Sequence, residues 1–121
     1  MARIMVVEDD IPASNFIAEV LKMGGHEAII VNVSSDAIKI ADDTLPQAFL
    51  LDLMMPPPDG FKLCRMLREH PGFKRTPILI VTALDNTDSK IVAIGAGAND
   101  YLVKPFHVDD LLTKVSDLLD E

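Results

Sequence analysis

The sequence predicts a parallel, doubly wound α/β fold. Three observations carry this. Short apolar runs alternate with helical periodicity five times along 121 residues. Those runs are continuous rather than alternating, as strands covered on both faces of a parallel sheet require. Gly- and Pro-containing stops separate the units, and right-handed crossovers between them give a doubly wound sheet.

The first strand is read in "RIMVV" (3–7). Pro12 stands where a first helical turn accepts proline, Phe16, Ile17, Val20 and Leu21 recur at helical spacing, and "GG" at 24–25 ends that helix. "EAIIV" (27–31) is a second strand, and Ser34 or Ser35 is placed to cap a helix carrying Ala37, Ile38 and Ala41. "AFLLD" (48–52) is a third strand. Gly60 opens a helix with Phe61, Cys64, Leu67 and Arg68 along one side, closed by "HPG" at 70–72. "PILIVT" (77–82) is a fourth strand, followed by a helix with Ile91 and Ile94 that ends at "GAG" (95–97). "DYLV" (100–103) is the fifth, and Val108, Leu111, Leu112, Val115, Leu118 and Leu119 mark a last amphipathic helix. Without repeats, linkers or low-complexity tracts, one domain is expected to fill residues 1–121.

Composition narrows the function classes. Hydrophobic residues make up 49% and charged residues 25%, the balance of a globular chain. No apolar run approaches the roughly 20 residues of a membrane span, and "MARIMVVEDD" reaches acid too soon for a signal peptide. A single cysteine, Cys64, rules out an intramolecular disulfide and fits a reducing compartment. A cytoplasmic location is expected. The net charge of −8 argues against direct nucleic-acid binding, which needs Lys and Arg to neutralise phosphates, and permits a basic partner or a bound cation.

Polar residues stand at the C-terminal ends of these strands: Glu8, Asp9 and Asp10 after the first, Asp52 ending the third, Thr82 ending the fourth, Lys104 after the fifth. In an open parallel sheet such ends share one edge, where ligands bind. Converging carboxylates repel one another unless one is protonated or a cation intervenes. All-oxygen ligands favour a hard ion, Mg²⁺ most naturally. An aspartate beside Mg²⁺ can attack phosphorus, with Lys104 neutralising phosphoryl oxygens and Thr82 donating its hydroxyl.

At this point the residues resemble a known family. "IMVVEDD" (4–10), "LLDLMMPPPDG" (50–60), "ILIVTALD" (78–85) and "GAGANDYLVKPF" (95–106) are similar, in order and separation, to the receiver domains of two-component response regulators. The resemblance implies a flavodoxin-like (βα)5 three-layer sandwich with strand order 2-1-3-4-5. It places Asp52 at the phosphoacceptor position, with Asp9 as direct Mg²⁺ ligand, Glu8 as the second acid and the Met54 backbone carbonyl completing the metal site. It makes Thr82 and Tyr101 the switch pair, Lys104 the phosphate-binding lysine and the Ala83 backbone N–H a phosphate contact, and it implies a cis Lys104–Pro105 bond. Asp10 falls outside the acid pair. The implied partners are a histidine kinase or histidine phosphotransfer protein as donor, and a downstream protein or output domain as receiver of the signal. The domain would catalyse only its own phosphorylation and slow dephosphorylation.

Further readings follow from individual residues. The resemblance places Met54 and Leu84, both apolar, along the path of attacking water, which implies slow loss of phosphate. Lys90, Asp100, Asp110 and Lys114 resemble, in shortened types, the charged pattern through which one receiver subfamily dimerises across its last two helices and fifth strand, with Asn99 replacing a common acid. His26, His70 and His107 lack metal-ligand spacing, and Cys64 and the six methionines read as packing. The triple proline at 56–58 reads as a stiffened loop that holds the Met54 carbonyl near the metal; Pro57 and Pro58 exceed the family pattern. An aspartate-nucleophile phosphatase would want an acid two residues after Asp52, where Met54 stands, and a flavin or dinucleotide binder would want a Gly-rich first loop where "EDDIPA" stands. The sequence leaves open a stand-alone receiver or a piece of a longer regulator.

Overall fold

The computed structural model describes residues 1–120. Strands β1 (Arg3–Val7), β2 (Glu27–Val31), β3 (Ala48–Leu51), β4 (Ile78–Thr82) and β5 (Asp100–Val103) alternate with helices α1 (Ile11–Met23), α2 (Ala37–Thr44), α3 (Gly60–Glu69), α4 (Thr87–Gly95) and α5 (Val108–Leu119). All strand pairs are parallel and the order is β2-β1-β3-β4-β5, as expected for four crossovers that reverse direction once.

The continuous apolar runs now have a physical account. Side chains alternate across the pleat, and both faces are covered. Met5, Val7, Phe49, Leu51, Ile78 and Ile80 pack with Leu63, Cys64 and Leu67 of α3, Ala37 and Ala41 of α2 and Ala93 of α4. Ile4, Val6, Leu50, Leu79, Val81 and Leu102 pack on the other face with Ile17, Val20 and Leu21 of α1 and Leu111, Val115 and Leu118 of α5. Each fully buried Leu or Ile contributes about 2 kcal/mol of transfer free energy, so neither face of β1, β3 or β4 tolerates a polar residue until the strand ends.

Register fixes what the strand ends deliver. Val7 pairs with Leu51, and the Asp52 N–H donates to the Val7 carbonyl at 3.1 Å, so Glu8 and Asp52 fall side by side. Thr82 pairs with Val103, and the Lys104 N–H donates to the Thr82 carbonyl at 2.8 Å, which puts Lys104 one step beyond the β4–β5 ladder.

Most boundaries follow the sequence reading, with small shifts. Asp52 lies just past β3 rather than inside it, and Pro77, which lacks an N–H, precedes β4. Pro12 sits in the first turn of α1 and Asp10 caps that helix, accepting from the Ala13 N–H at 2.9 Å. Asp59 caps α3 in the same way through Lys62. The expected serine cap of α2 is corrected: a 3₁₀ turn, Ser34–Asp36, leads into the helix, no side chain caps it, and the Ser34 hydroxyl is engaged elsewhere. Lys104–Pro105 is cis, as the resemblance implies, and so is Pro57–Pro58.

Gly60 shows how closely α3 approaches the site. A Cβ there would lie 2.2 Å from the Asp52 carbonyl oxygen and 2.6 Å from the Leu53 Cα, both backbone atoms with little room to move. Gly60→Ala is therefore expected to lower stability by about 2–3 kcal/mol, the upper part of the overpacking range. A shift of the urea midpoint measures it, and an unchanged midpoint contradicts the close approach.

Candidate functional site

The site is a cluster of buried charge at the C-terminal edge of the sheet. Glu8 (2% exposed), Asp52 (8%) and Thr82 (0%) are polar residues in a core otherwise built of hydrocarbon. Lys104 reaches between the two acids: its ammonium donates to Glu8 Oε1 and, at 3.0 Å, to Asp52 Oδ2. Asp52 Oδ1 accepts from the Met54 N–H at 3.0 Å. Buried charges persist only when paired and hydrogen-bonded, and one ammonium is here shared by two carboxylates.

Burial and the hydrogen bonds among these groups together set the protonation states. Burial pushes Glu8 up to about 7; Lys104 opposes the rise, and the neighbouring Asp52 adds to it. For Asp52 burial also works against the charge, but the Met54 N–H, the hydrogen bond with Glu8, Lys104 and the Thr82 hydroxyl outweigh it and hold its pKa below the ordinary value. Burial likewise opposes the Lys104 charge and is overcome by Glu8 and Asp52, so that pKa is raised. The two acids of the pair are thus driven apart, Glu8 toward its protonated form and Asp52 toward its ionised form.

The other residues singled out from sequence surround this cluster at varying distance. Asp9 and Asp10 face solvent, and Met54 is exposed over 57% of its surface. Ala83 is exposed at the end of β4. The half-buried Tyr101 donates its hydroxyl to the Leu84 carbonyl at 2.7 Å, joining β5 to the loop after Thr82, and the Lys90 ammonium lies 5.8 Å from its ring centre. Leu84 packs partly buried against the core, and its N–H points to Thr82 Oγ1 at 3.5 Å. Cys64 is fully buried, as read from sequence. Lys90 pairs with Asp85 at 3.2 Å and Lys114 with Asp100 at 3.0 Å, both within the chain.

Among the described residues no three His, Cys, Asp or Glu side chains stand together as a metal cluster, because Lys104 occupies the space between Glu8 and Asp52 while Asp9 faces outward. The residues nevertheless fit a hard cation. Two adjacent carboxylates, one with its pKa raised to about 7 by burial and like charge, need more positive charge than Lys104 supplies. The available donors are all oxygens.

Sequence reasoning missed three residues that hold this arrangement. The Asn32 amide donates to the Glu8 carbonyl at 2.8 Å and to Ser14 Oγ at 3.0 Å, fixing the acid loop to β2 and α1. Arg68 donates to the carbonyls of Gly97, Phe73 and Thr76 and to Asn99 Oδ1, tying α3 to the segments before β4 and β5. Ser34 bonds the carbonyls of Pro56 and Pro58. Only Asn32, a polar residue between Val31 and Val33, left a faint signal in the sequence.

Lys104→Met tests the electrostatics. A carboxyl with raised folded pKa contributes stability at low pH that is lost as pH rises through that pKa. Removing the ammonium raises Glu8 further from its value of about 7, so the deficit grows with pH. In metal-free buffer the variant is expected to match wild type more nearly at pH 6 and to lose about 2–3 kcal/mol at pH 8, somewhat below the cost of orphaning a fully buried charge. Urea unfolding at both pH values measures it; a deficit independent of pH contradicts it.

With this geometry in place, comparison with known proteins gives one answer. The family model described as the response regulator receiver domain matches residues 4–116. The chain is 38% identical over 122 residues to the DNA-binding dual master transcriptional regulator RpaA of Synechocystis sp., covering 98% of this chain and 49% of that protein. It is 35% identical over 117 residues to response regulator MprA of Mycobacterium leprae, covering 97% and 50%. The chain thus spans about half the length of these curated relatives. Among solved structures, the Francisella response regulator 1452 receiver domain superposes with a TM-score of 0.91 at 30% identity, covering 99% of this chain and 98% of that one. The Vibrio cholerae chemotaxis protein CheY4 gives 0.93 at 28%, covering 98% and 99%. The chain belongs to the response regulator receiver domain family of two-component systems.

Proposed function

We propose that this receiver is a phosphorylation-driven switch with Asp52 as phosphoacceptor. The observation that carries the reading is Asp52 held beside Glu8 and Lys104, with Lys104 Nζ at 3.0 Å. An Asp52 carboxylate oxygen attacks phosphorus as the bond from phosphorus to the donor breaks, and the electron pair of that bond leaves with the donor. The donor is a phosphohistidine on a histidine kinase or a histidine phosphotransfer protein. Glu8, Asp9, Asp52 and the Met54 carbonyl would hold a Mg²⁺ ion, which supplies positive charge to the phosphoryl oxygens when bound.

The chain's own groups do the rest. Lys104 exchanges its bond to the Asp52 carboxylate for one to a phosphoryl oxygen. The Thr82 hydroxyl and the Ala83 N–H satisfy others. Thr82 is drawn toward the new charge, which alters the loop that the Tyr101 hydroxyl holds through the Leu84 carbonyl, and the ring follows inward. The β4–α4 and β5–α5 faces then present a changed surface to a downstream protein or output domain. A net charge of −8 leaves nucleic-acid contact to such a partner. A cytoplasmic location fits a domain fed by intracellular phosphoryl donors.

Lifetime and assembly follow from the same residues. Met54 and Leu84 offer no group to orient an attacking water, so self-dephosphorylation is slow. Lys90 and Lys114 are paired within the chain, so a phosphorylation-dependent dimer through α4, β5 and α5 requires them to exchange Asp85 and Asp100 for a second copy's acids.

Incubation with a small acyl phosphate and Mg²⁺ should add one phosphoryl mass, absent in Asp52→Asn and after chelation. An unchanged mass, or one gained equally by Asp52→Asn, contradicts the reading. On that same sample Leu84→Glu should lose phosphate several-fold faster than wild type, and equal rates remove the water-exclusion argument. Chromatography of the phosphorylated form decides assembly, a strict monomer excluding the dimer.

A further inference from the structure

The loop after Asp52 contains three prolines, Pro56, Pro57 and Pro58, two of them beyond the family pattern. They have no N–H groups, so this part of the loop cannot be fastened by donors of its own. Its ends are fastened. The Met54 N–H donates to Asp52 Oδ1 at 3.0 Å, and the Gly60 N–H donates to the Leu53 carbonyl at 3.1 Å. Its middle is held from another element. Ser34 Oγ lies 2.9 Å from the Pro56 carbonyl oxygen and 2.8 Å from that of Pro58.

A hydroxyl carries one proton, so the two carbonyls share it and are drawn to a single point. Ser34 is 5% exposed and begins the turn leading into α2, where it caps nothing. Its contacts therefore fasten the β3–α3 loop rather than its own helix. Prolines restrict their own φ and the conformation of each preceding residue, so a constraint at Pro56 and Pro58 passes along the chain with little slack. Two residues before Pro56 stands Met54, whose carbonyl is read as a metal ligand.

We infer that Ser34 is a positioning residue for Mg²⁺: by bridging the Pro56 and Pro58 carbonyls it fixes the path of the proline loop and with it the Met54 carbonyl. The inference rests on the reading of Asp52 and Met54 given above. A ligand fixed beforehand loses less freedom on binding, and groups that orient metal ligands change affinity without touching the ion. The triple proline and Ser34 act as one device, a stiff segment and the clamp that sets its position.

The test is a MgCl₂ titration of the full chain, followed by backbone amide shifts. Ser34→Ala is expected to weaken Mg²⁺ binding about tenfold, the lower end of the effect of such orienting groups, while its phosphorylation rate at saturating Mg²⁺ stays within about twofold. Ser34→Thr, which keeps the hydroxyl, should bind within about twofold of wild type. Ser34→Gly reads the same loss if the alanine variant does not fold. Equal affinity in wild type and Ser34→Ala overturns the inference, as does an equal loss in Ser34→Ala and Ser34→Thr, which marks packing rather than the hydrogen bond. A wild type that binds no Mg²⁺ overturns the reading of the site itself, a result distinguishable from failure of Ser34 alone.

Discussion

One ammonium between two buried carboxylates is the constraint on which the rest of the site depends. Lys104 meets Glu8 and Asp52 at the end of a sheet whose interior holds almost nothing else polar. The three charges do not balance, and the imbalance accounts for much of the local chemistry. Burial raises Glu8 to about 7, while hydrogen bonds from the Met54 N–H, Glu8, Lys104 and Thr82 hold Asp52 below its ordinary value, and a further positive charge would be favoured beside the two acids. A core that folds around such a cluster gives up stability that a hydrocarbon cluster would have supplied. The cost would be intelligible under the proposed function, in which the carboxylate takes a cation and a phosphoryl group.

The scaffold makes this placement reproducible through register rather than through the side chains themselves. Glu8 and Asp52 are neighbours because Val7 pairs with Leu51, and Lys104 arrives because Val103 pairs with Thr82. A slip of one residue in β3 would turn Asp52 into the core and carry Leu51 to the pocket. The helices packed on both faces and the pairing of β1, β3 and β4 hold the register against that slip. Two helices on one face and three on the other lock the sheet, and Gly60 lets α3 start against the Asp52 backbone.

The strands and the acid pocket were legible in the sequence because both rest on local pattern. "RIMVV", "AFLLD" and "PILIVT" are runs of strand length with a polar residue at or just after their C-terminal ends. Polar residues at the ends of parallel strands share an edge whatever the details of packing. What was not legible depends on pairings between residues distant in sequence. Ser34 looked like a helix cap because serine before an amphipathic run usually is one; its hydroxyl instead spans to the proline loop 22 and 24 residues away. Arg68 was read only as part of a helix face, yet it gathers carbonyls from the turn after α3 and from the turn before β5. The acids were expected to converge, but side-chain direction separates them: Glu8 turns inward to Lys104 and Asp9 turns out to solvent.

The central claim is that Glu8 and Asp52 share too little positive charge, so their titrations are driven apart. Carbon NMR of the two side-chain carboxyls in metal-free buffer tests it most directly. The account predicts that Glu8 titrates with a midpoint near 7 and Asp52 below the ordinary aspartate value, and that saturating Mg²⁺ lowers the Glu8 midpoint. Two carboxyls titrating at about 4, like exposed acids, with midpoints that Mg²⁺ does not move, would contradict it.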